Sequence, residues 1–141
     1  MTLPQIGYTP TAEDRASLDA WFEHYDALCT ERDVERMADQ AVFPLNVISD
    51  DSAANGRSAQ WDRRRFVETM AHVMGDDSQQ VTFRNTRTPV FLSASLAVVF
   101  THSTVTAGDQ AYETDYADVL VRKDGAWAFQ TMIQGGWGDN L

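Results

Sequence analysis

The sequence predicts an α+β protein in which helices come first and a mainly antiparallel sheet follows. Three observations support this fold class. Apolar residues recur at helical spacing in the first half of the chain, polar and apolar residues alternate as in strands in the second half, and Asp124-Gly125 supplies the positive φ of a two-residue hairpin turn. With 141 residues, the chain has the length of one domain. We therefore expect a single domain over residues 1–141, with residues 1–10 as an N-terminal extension.

Three helices are expected. The first starts after Thr11, whose side chain can cap the helix while Asp14, three residues later, bonds back. Its apolar residues then form one stripe: Leu18, Trp21, Phe22, Tyr25, Leu28 and Cys29. A short second helix is predicted for residues 33–40. The third covers residues 60–74 and stops at Gly75.

The strands follow from alternation and from turn residues. One strand is predicted at residues 43–49, before the third helix, and residues 50–59 are expected to be a loop, which at this length is often functional. The remaining strands are predicted at residues 80–88, 90–93, 96–105, 112–123 and 126–134. Helices would then pack on one face of a curved sheet.

Asp118 is the most informative residue, because it interrupts an otherwise apolar strand face. Pairing Lys123 with Ala126 across the turn places Asp118 opposite Thr131. On the same face we expect Tyr116, Leu120, Phe129 and Ile133. A buried carboxylate without a partner tends to take up a proton rather than bear the cost of desolvation.

Charge narrows the classes of partner. Twenty-one acidic residues against eleven basic ones give a net charge of −10, which repels a phosphate backbone, so neither nucleic acid nor an anionic membrane is expected as a partner. No segment approaches the roughly 20 apolar residues of a membrane helix, and we expect a cytoplasmic protein. The three histidines, His24, His72 and His102, lack metal-ligand spacing, so no metal site is expected. No cofactor is predicted either.

The order of elements resembles that of the NTF2-like superfamily, which includes ketosteroid isomerase, scytalone dehydratase and SnoaL-type polyketide cyclases. The resemblance lies in the aromatic first helix, the short second helix begun by Asp33, and the long strands that end in Lys123-Asp-Gly-Ala-Trp127. It implies a cone: a strongly bent sheet wrapped around helices, with a pocket for a small apolar molecule. It also implies a homodimer through the outer face of the sheet.

The resemblance also suggests site residues. Tyr25 and Asp118 match the two proton donors of ketosteroid isomerase in order and approximate placement, and in that enzyme apolar surroundings keep the aspartate protonated. The isomerase takes its carboxylate base from the first strand, where this chain has Leu45 or Asn46. Asn46 can hold a carbonyl or a water but cannot abstract a proton. Asp50 or Asp51 would serve only if the strand were offset or its loop folded over the pocket.

His102 is the other candidate base. A four-residue turn after the fourth predicted strand lets His102 face either Asp115 or Tyr116, and the second register also sets Phe100 beside Asp118. A His and an Asp on neighbouring strands can activate water or remove an acidic C–H proton. Trp61, after the loop, could close the pocket. The catalytic candidates are therefore Tyr25, Asp118 and His102, and the ligand-binding candidates are Asn46, Trp61, Tyr116 and Phe100.

Three functions remain open from the sequence. The chain is an isomerase, dehydratase or cyclase that acts by proton transfer on an apolar carbonyl compound, or it binds such a compound without reaction. In the third alternative, side chains fill the cone and the domain serves for dimerisation.

Overall fold

The computed structural model describes residues 7–74 and 81–141. There are three α-helices: α1 (Ala12–Glu31) and α2 (Val34–Ala38) come before the first strand, and α3 (Arg63–Met74) lies between the second and third strands. The predicted capping box at the start of α1 is present, because the Thr11 side chain accepts from the Asp14 amide and the Asp14 side chain accepts from the Thr11 amide. The expected helix stop at Gly75, a strand start at residue 80 and most of the N-terminal extension lie outside the described residues.

A single sheet of six strands forms the other layer, in the order β2-β1-β6-β5-β4-β3. Neighbouring strands are antiparallel except β1 and β6, which are parallel. This curved sheet with three helices confirms the predicted α+β fold class. The strands are β1 (Ala41–Asp50), β2 (Gly56–Trp61), β3 (Val81–Ser93), β4 (Leu96–Ala107), β5 (Gln110–Lys123) and β6 (Ala126–Ile133).

Three predicted elements need correction. The predicted loop at residues 50–59 contains most of β2, an edge strand whose first three residues are exposed and whose sequence Gly56-Arg-Ser-Ala-Gln shows no apolar alternation. The third helix, predicted from residue 60, begins at Arg63, because residues 60 and 61 end β2. The two strands predicted on either side of Pro89 are one strand, β3. Proline is tolerated there because β3 lies at the opposite edge of the sheet, where a strand has a neighbour on only one side.

The β5–β6 hairpin contains a bulge that shifts the predicted register. Lys123 pairs with Ala126 as expected, but the pairing shifts by one residue between Val119 and Leu120. Asp118 therefore lies opposite Met132 instead of Thr131. Because the extra residue is in β6, Asp118 keeps its predicted orientation toward the helices and is buried.

The core lies between the helices and the inner face of the sheet. Helix α1 contributes Leu18, Phe22 and Leu28, and α3 contributes Phe66 and Met70. From the strands come Leu45, Val47, Phe91, Val99, Leu120, Trp127 and Phe129. Toward the other end of the same face, polar side chains occur among the apolar ones, and a cavity opens. None of the helices in the described part of the chain is long and apolar enough to span a membrane.

The two faces of β1 lead to a test of the fold. Leu45 is 0% exposed, whereas Asn46 bonds the exposed Gln60 side chain on the outer face, with 3.2 Å between Gln60 Nε2 and Asn46 Oδ1. We expect Leu45→Ala to lower the free energy of unfolding by about 2–5 kcal/mol and the matched Asn46→Ala to change it by less than about 0.5 kcal/mol. Urea denaturation measures both. Equal losses would contradict the orientation of β1.

Candidate functional site

A cavity of about 420 Å³ lies between α1, α3 and the inner face of β3, β4, β5 and β6. Much of its wall is apolar, including Phe22, Met70, Val105, Phe129 and Met132. The wall also carries titratable side chains, which is the composition expected of a small-molecule site. Among the residues described, the carboxylates that line it are Asp26 and Asp118, and no histidine does.

Asp118 is the deeply buried acid of this wall. It points inward from β5 and is 5% exposed. Burial raises the pKa of its carboxyl from 3.8 to about 7, although the Arg87 guanidinium acts in the opposite direction. No hydrogen bond joins the Asp118 side chain to another described residue. A carboxyl with a pKa near 7 exchanges a proton at neutral pH, as acid–base catalysis requires.

Two phenols lie near Asp118. Tyr25, on α1, stacks on Trp21 with ring centroids 5.5 Å apart and meets the edge of Phe129 at 4.8 Å. Burial, together with the nearby Cys29 thiol and Asp118, raises the pKa of Tyr25 well above its usual value. Burial also raises the pKa of Tyr116, two residues before Asp118 on the same strand face. Both phenols therefore keep their protons at neutral pH and can donate hydrogen bonds.

Arg87 and Asp26 form an ion pair in the same wall, and sequence reasoning missed both residues. Arg87, on β3, donates to the two carboxylate oxygens of Asp26, on α1, at 2.5 and 2.9 Å. Its guanidinium also lies 4.1 Å from the ring centroid of Phe22. The signal in the sequence was the alternation of β3, which turns residues 81, 83, 85 and 87 to the same face. This ion pair balances the charge of Arg87. No cation among the described residues forms an ion pair with Asp118.

His102 lies on the outer face of the sheet, outside the cavity. One of the two expected registers is confirmed, because His102 pairs with Asp115. Its Nδ1 lies 2.6 Å from Asp115 Oδ1, and its Nε2 lies 3.4 Å from Glu113 Oε1. These carboxylates, Asp115 first, raise the pKa of His102. The expectation that His102 faces the pocket is wrong, because residues 115 and 118 differ by an odd number and point to opposite faces.

Phe100 and Asn46 also lie outside the cavity wall. Phe100 pairs with Ala117 instead of Asp118 and is 43% exposed on the outer face. Asn46 faces outward beside Gln60, so the inward position on β1 belongs to Leu45, which cannot act as a base. Asp50 and Asp51 do not replace it, since Asp50 Oδ1 accepts from the Gly136 amide at 2.7 Å and Asp51 Oδ1 accepts from loop amides.

Trp61 is buried, but it lines a separate groove rather than the cavity. It stacks on Trp137, with centroids 6.4 Å apart, and the Arg65 guanidinium lies 5.2 Å from its ring. Trp137 is the tryptophan that reaches the cavity, where sequence reasoning expected Trp61.

Of the predicted site residues, the structure thus brings together Tyr25, Tyr116 and Asp118. Over residues 7–74 and 81–141, no group of three or more His, Cys, Asp or Glu side chains could hold a metal ion.

Sequence comparisons find no matching protein-family model and no matching curated protein. Solved structures do match. Aln2 from a Streptomyces species superposes with a TM-score of 0.72 at 13% identity, over 89% of this chain and 92% of that one. An NTF2-like protein of unknown function from Pseudomonas putida gives 0.71 at 12% identity, over 90% and 89%.

A third match is a candidate scytalone dehydratase from Novosphingobium aromaticivorans, with a TM-score of 0.68 at 16% identity, over 85% of this chain and 81% of that one. Sequence identities this low establish the fold and leave the chemistry to the site itself. The similarities extend over most of each chain. The chain therefore has the NTF2-like fold that its order of helices and strands predicted.

Proposed function

We propose that this protein is a small-molecule enzyme that transfers a proton on an apolar, carbonyl-bearing compound, with Asp118 as the acid–base group. The observation that carries the proposal is the position of Asp118, buried in the wall of an apolar cavity with a pKa of about 7. At neutral pH its protonated and ionised forms are both populated. A group with such a pKa both accepts and returns a proton readily.

The proposed step begins with ionised Asp118 and a ligand carbonyl in the cavity. The carboxylate takes a proton from the carbon next to the carbonyl, and the electron pair of the broken C–H bond forms a C=C bond while negative charge moves to the carbonyl oxygen. A phenol that donates a hydrogen bond to this oxygen stabilises the enolate. The proton then returns to another carbon, which gives an isomer, or to a leaving hydroxyl, which departs as water.

Tyr25 and Tyr116 are the donors available for that oxygen. Each lines the cavity, and each has a pKa above its usual value, so the phenol remains protonated while Asp118 titrates. Tyr25 is held by ring contacts with Trp21 and Phe129, which fix its orientation. A fixed donor in a cavity of low polarity stabilises developing charge more strongly than water does.

The fold shared with a candidate scytalone dehydratase supports a small-molecule enzyme, and the name of that protein supplies no substrate for this one. One observation favours the alternative of binding without reaction. The inward position of β1 is Leu45, so a second free acid is lacking at the wall in the described part of the chain. In the alternative, Asp118 and the two phenols orient a ligand.

Exchange of an α-proton tests the proposed step without knowledge of the natural substrate. We expect the protein to accelerate deuterium exchange at the methyl group of 2-acetylnaphthalene in D2O, followed by NMR. Asp118→Asn should fold and lose this acceleration by about 10²- to 10⁴-fold, because the amide cannot take up the proton.

The matched control for this experiment is His102→Gln, on the outer face, which should leave exchange unchanged. Acceleration that survives Asp118→Asn, or that disappears with His102→Gln, would reject the role of Asp118. Binding of 2-acetylnaphthalene without any accelerated exchange would favour the alternative of a binding protein.

The raised pKa of Asp118 also predicts a dependence of stability on pH. Between pH 3.8 and about 7, the native state retains a proton that the unfolded state releases. The favourable contribution is thus fully present below the unfolded pKa and is lost as pH rises through the folded one. For three pKa units the loss is at most about 4 kcal/mol.

Asp118→Asn should remove this loss. We expect the free energy of unfolding of the variant, relative to wild type, to rise between about pH 4 and pH 7 in urea denaturation series. Asp109→Asn, in the exposed β4–β5 turn, is the control. A constant difference over this range would show that Asp118 keeps an ordinary pKa.

Arg87 provides an independent test of the electrostatics. Its guanidinium lowers the pKa of Asp118, so Arg87→Met should raise that pKa further, and the Asp26 carboxylate left without its partner acts in the same direction. Carboxyl-carbon NMR measures the titration, with Asp118→Asn for assignment. Arg84→Met, on the outer face of the same strand, should cause no shift. A lower pKa of Asp118 in Arg87→Met would contradict the arrangement.

A further inference from the structure

A row of three polar side chains crosses the cavity wall at some distance from Asp118. Ser103 on β4 pairs with Asn85 on β3 and with Thr114 on β5, so the three lie side by side on neighbouring strands. All three line the cavity. We call Asn85, Ser103 and Thr114 the polar row. Neither the acid–base group nor the two phenols of the proposed reaction belong to it.

Two members of the polar row hold buried atoms that lack hydrogen-bond partners. Ser103 is 1% exposed, and its Oγ has no partner in the described part of the chain. Asn85 Oδ1 is likewise buried and unpaired, while its Nδ2 donates to Asp26 Oδ1 at 3.4 Å. Such atoms are rare in folded proteins, because burial without a partner forfeits their bonds to water. A bound group that restores those bonds therefore gains affinity.

The chemistry of the unpaired atoms specifies that group. Asn85 Oδ1 only accepts, whereas the Ser103 hydroxyl both donates and accepts. Directly opposed residues on antiparallel strands have Cβ atoms about 4.5–5.5 Å apart, so one oxygen between them can reach both. A ligand hydroxyl fits, since it donates to Asn85 Oδ1 and accepts from Ser103. A ligand carbonyl would leave Asn85 Oδ1 unpaired.

We propose that the polar row binds a hydroxyl group at the end of the ligand remote from Asp118. Asp118 pairs with Val99, four residues before Ser103, which is about 13 Å along a strand. A hydrogen bond of roughly 3 Å at the polar row and a contact of similar length between Asp118 and the α-carbon leave about 7 Å for the ligand, the span of a two-ring skeleton. The ligand class is thus an elongated apolar compound with a carbonyl at one end and a hydroxyl at the other. Only the assignment of the reacting end rests on the proposed function.

A pair of compounds tests the polar row directly: 2-acetyl-6-hydroxynaphthalene and 2-acetylnaphthalene, which differ by the one hydroxyl. Calorimetric titration should show that wild type binds the hydroxylated compound at least about tenfold more tightly. Ser103→Ala should abolish most of this preference. It should also raise the Tm of the ligand-free protein, because it removes a buried hydroxyl that has no partner among the described residues.

Thr101→Val is the matched control. Thr101, two residues earlier on β4, is 2% exposed and its Oγ1 is also unpaired within the described ranges, but it is outside the cavity wall. This variant should raise the Tm in the same way and keep the preference for the hydroxylated compound. If the Tm rises in both variants but only Ser103→Ala loses the preference, the loss reflects ligand recognition and not a structural effect.

The outcomes separate this inference from the proposed function. Equal affinity of wild type for the two compounds, binding of neither, or a preference that survives Ser103→Ala overturns the role of the polar row. If the preference depends on Ser103 while Asp118→Asn leaves α-proton exchange unchanged, the polar row stands and the proton-transfer function fails. If α-proton exchange depends on Asp118 while the preference survives Ser103→Ala, the proton-transfer function stands and the role of the polar row is rejected.

Discussion

The pleat of three long strands determines which side chains the cavity contains. β4 and β5 pair without interruption from Leu96 opposite Val121 to Ala107 opposite Gln110, and successive side chains point to opposite faces. Ser103 and Asp118 therefore face the helices, while His102 and its partner Asp115 face outward. A shift of one residue would exchange these sets and bring His102 and Asp115 into the cavity in place of Ser103 and Asp118. The chemistry of the site thus depends on strand register as well as on residue type.

The electrostatics of the cavity wall depend on which of its two acids, Asp26 or Asp118, pairs with Arg87. Asp26 takes the single guanidinium of Arg87 through two hydrogen bonds, whereas no described residue makes such a bond to Asp118. Had Arg87 paired with Asp118, the carboxylate would stay ionised at neutral pH and would be a poor proton donor. Because the cation is already neutralised, desolvation dominates and brings the pKa of Asp118 to about 7. The ion pair therefore influences the pKa of Asp118 without a hydrogen bond to its carboxyl group.

Local signals in the sequence were sufficient for most of the fold. The capping box at Thr11 and the Asp124-Gly125 turn are interactions between near neighbours, and both are confirmed. β2 was not predicted because most of its residues are exposed at the edge of the sheet and show no apolar alternation. The bulge in β6 was not predicted because it accompanies pairing with β1, a strand more than eighty residues away in the sequence. The pairing of Arg87 with Asp26 was not predicted, because each residue resembles a solvated surface charge in the sequence. Only the packing of α1 on β3 brings the two together.

The site itself limits the reactions that the proposed function can include. With Leu45 at the inward position of β1 and Asp26 held by Arg87, one carboxyl at the described wall has to remove and return the proton. A single group fixed on β5 reaches one face of a bound molecule, so removal and return would occur on the same side of the substrate. Reactions that need an acid and a base on opposite faces are disfavoured, whereas isomerisation and same-side elimination of water are compatible with this geometry.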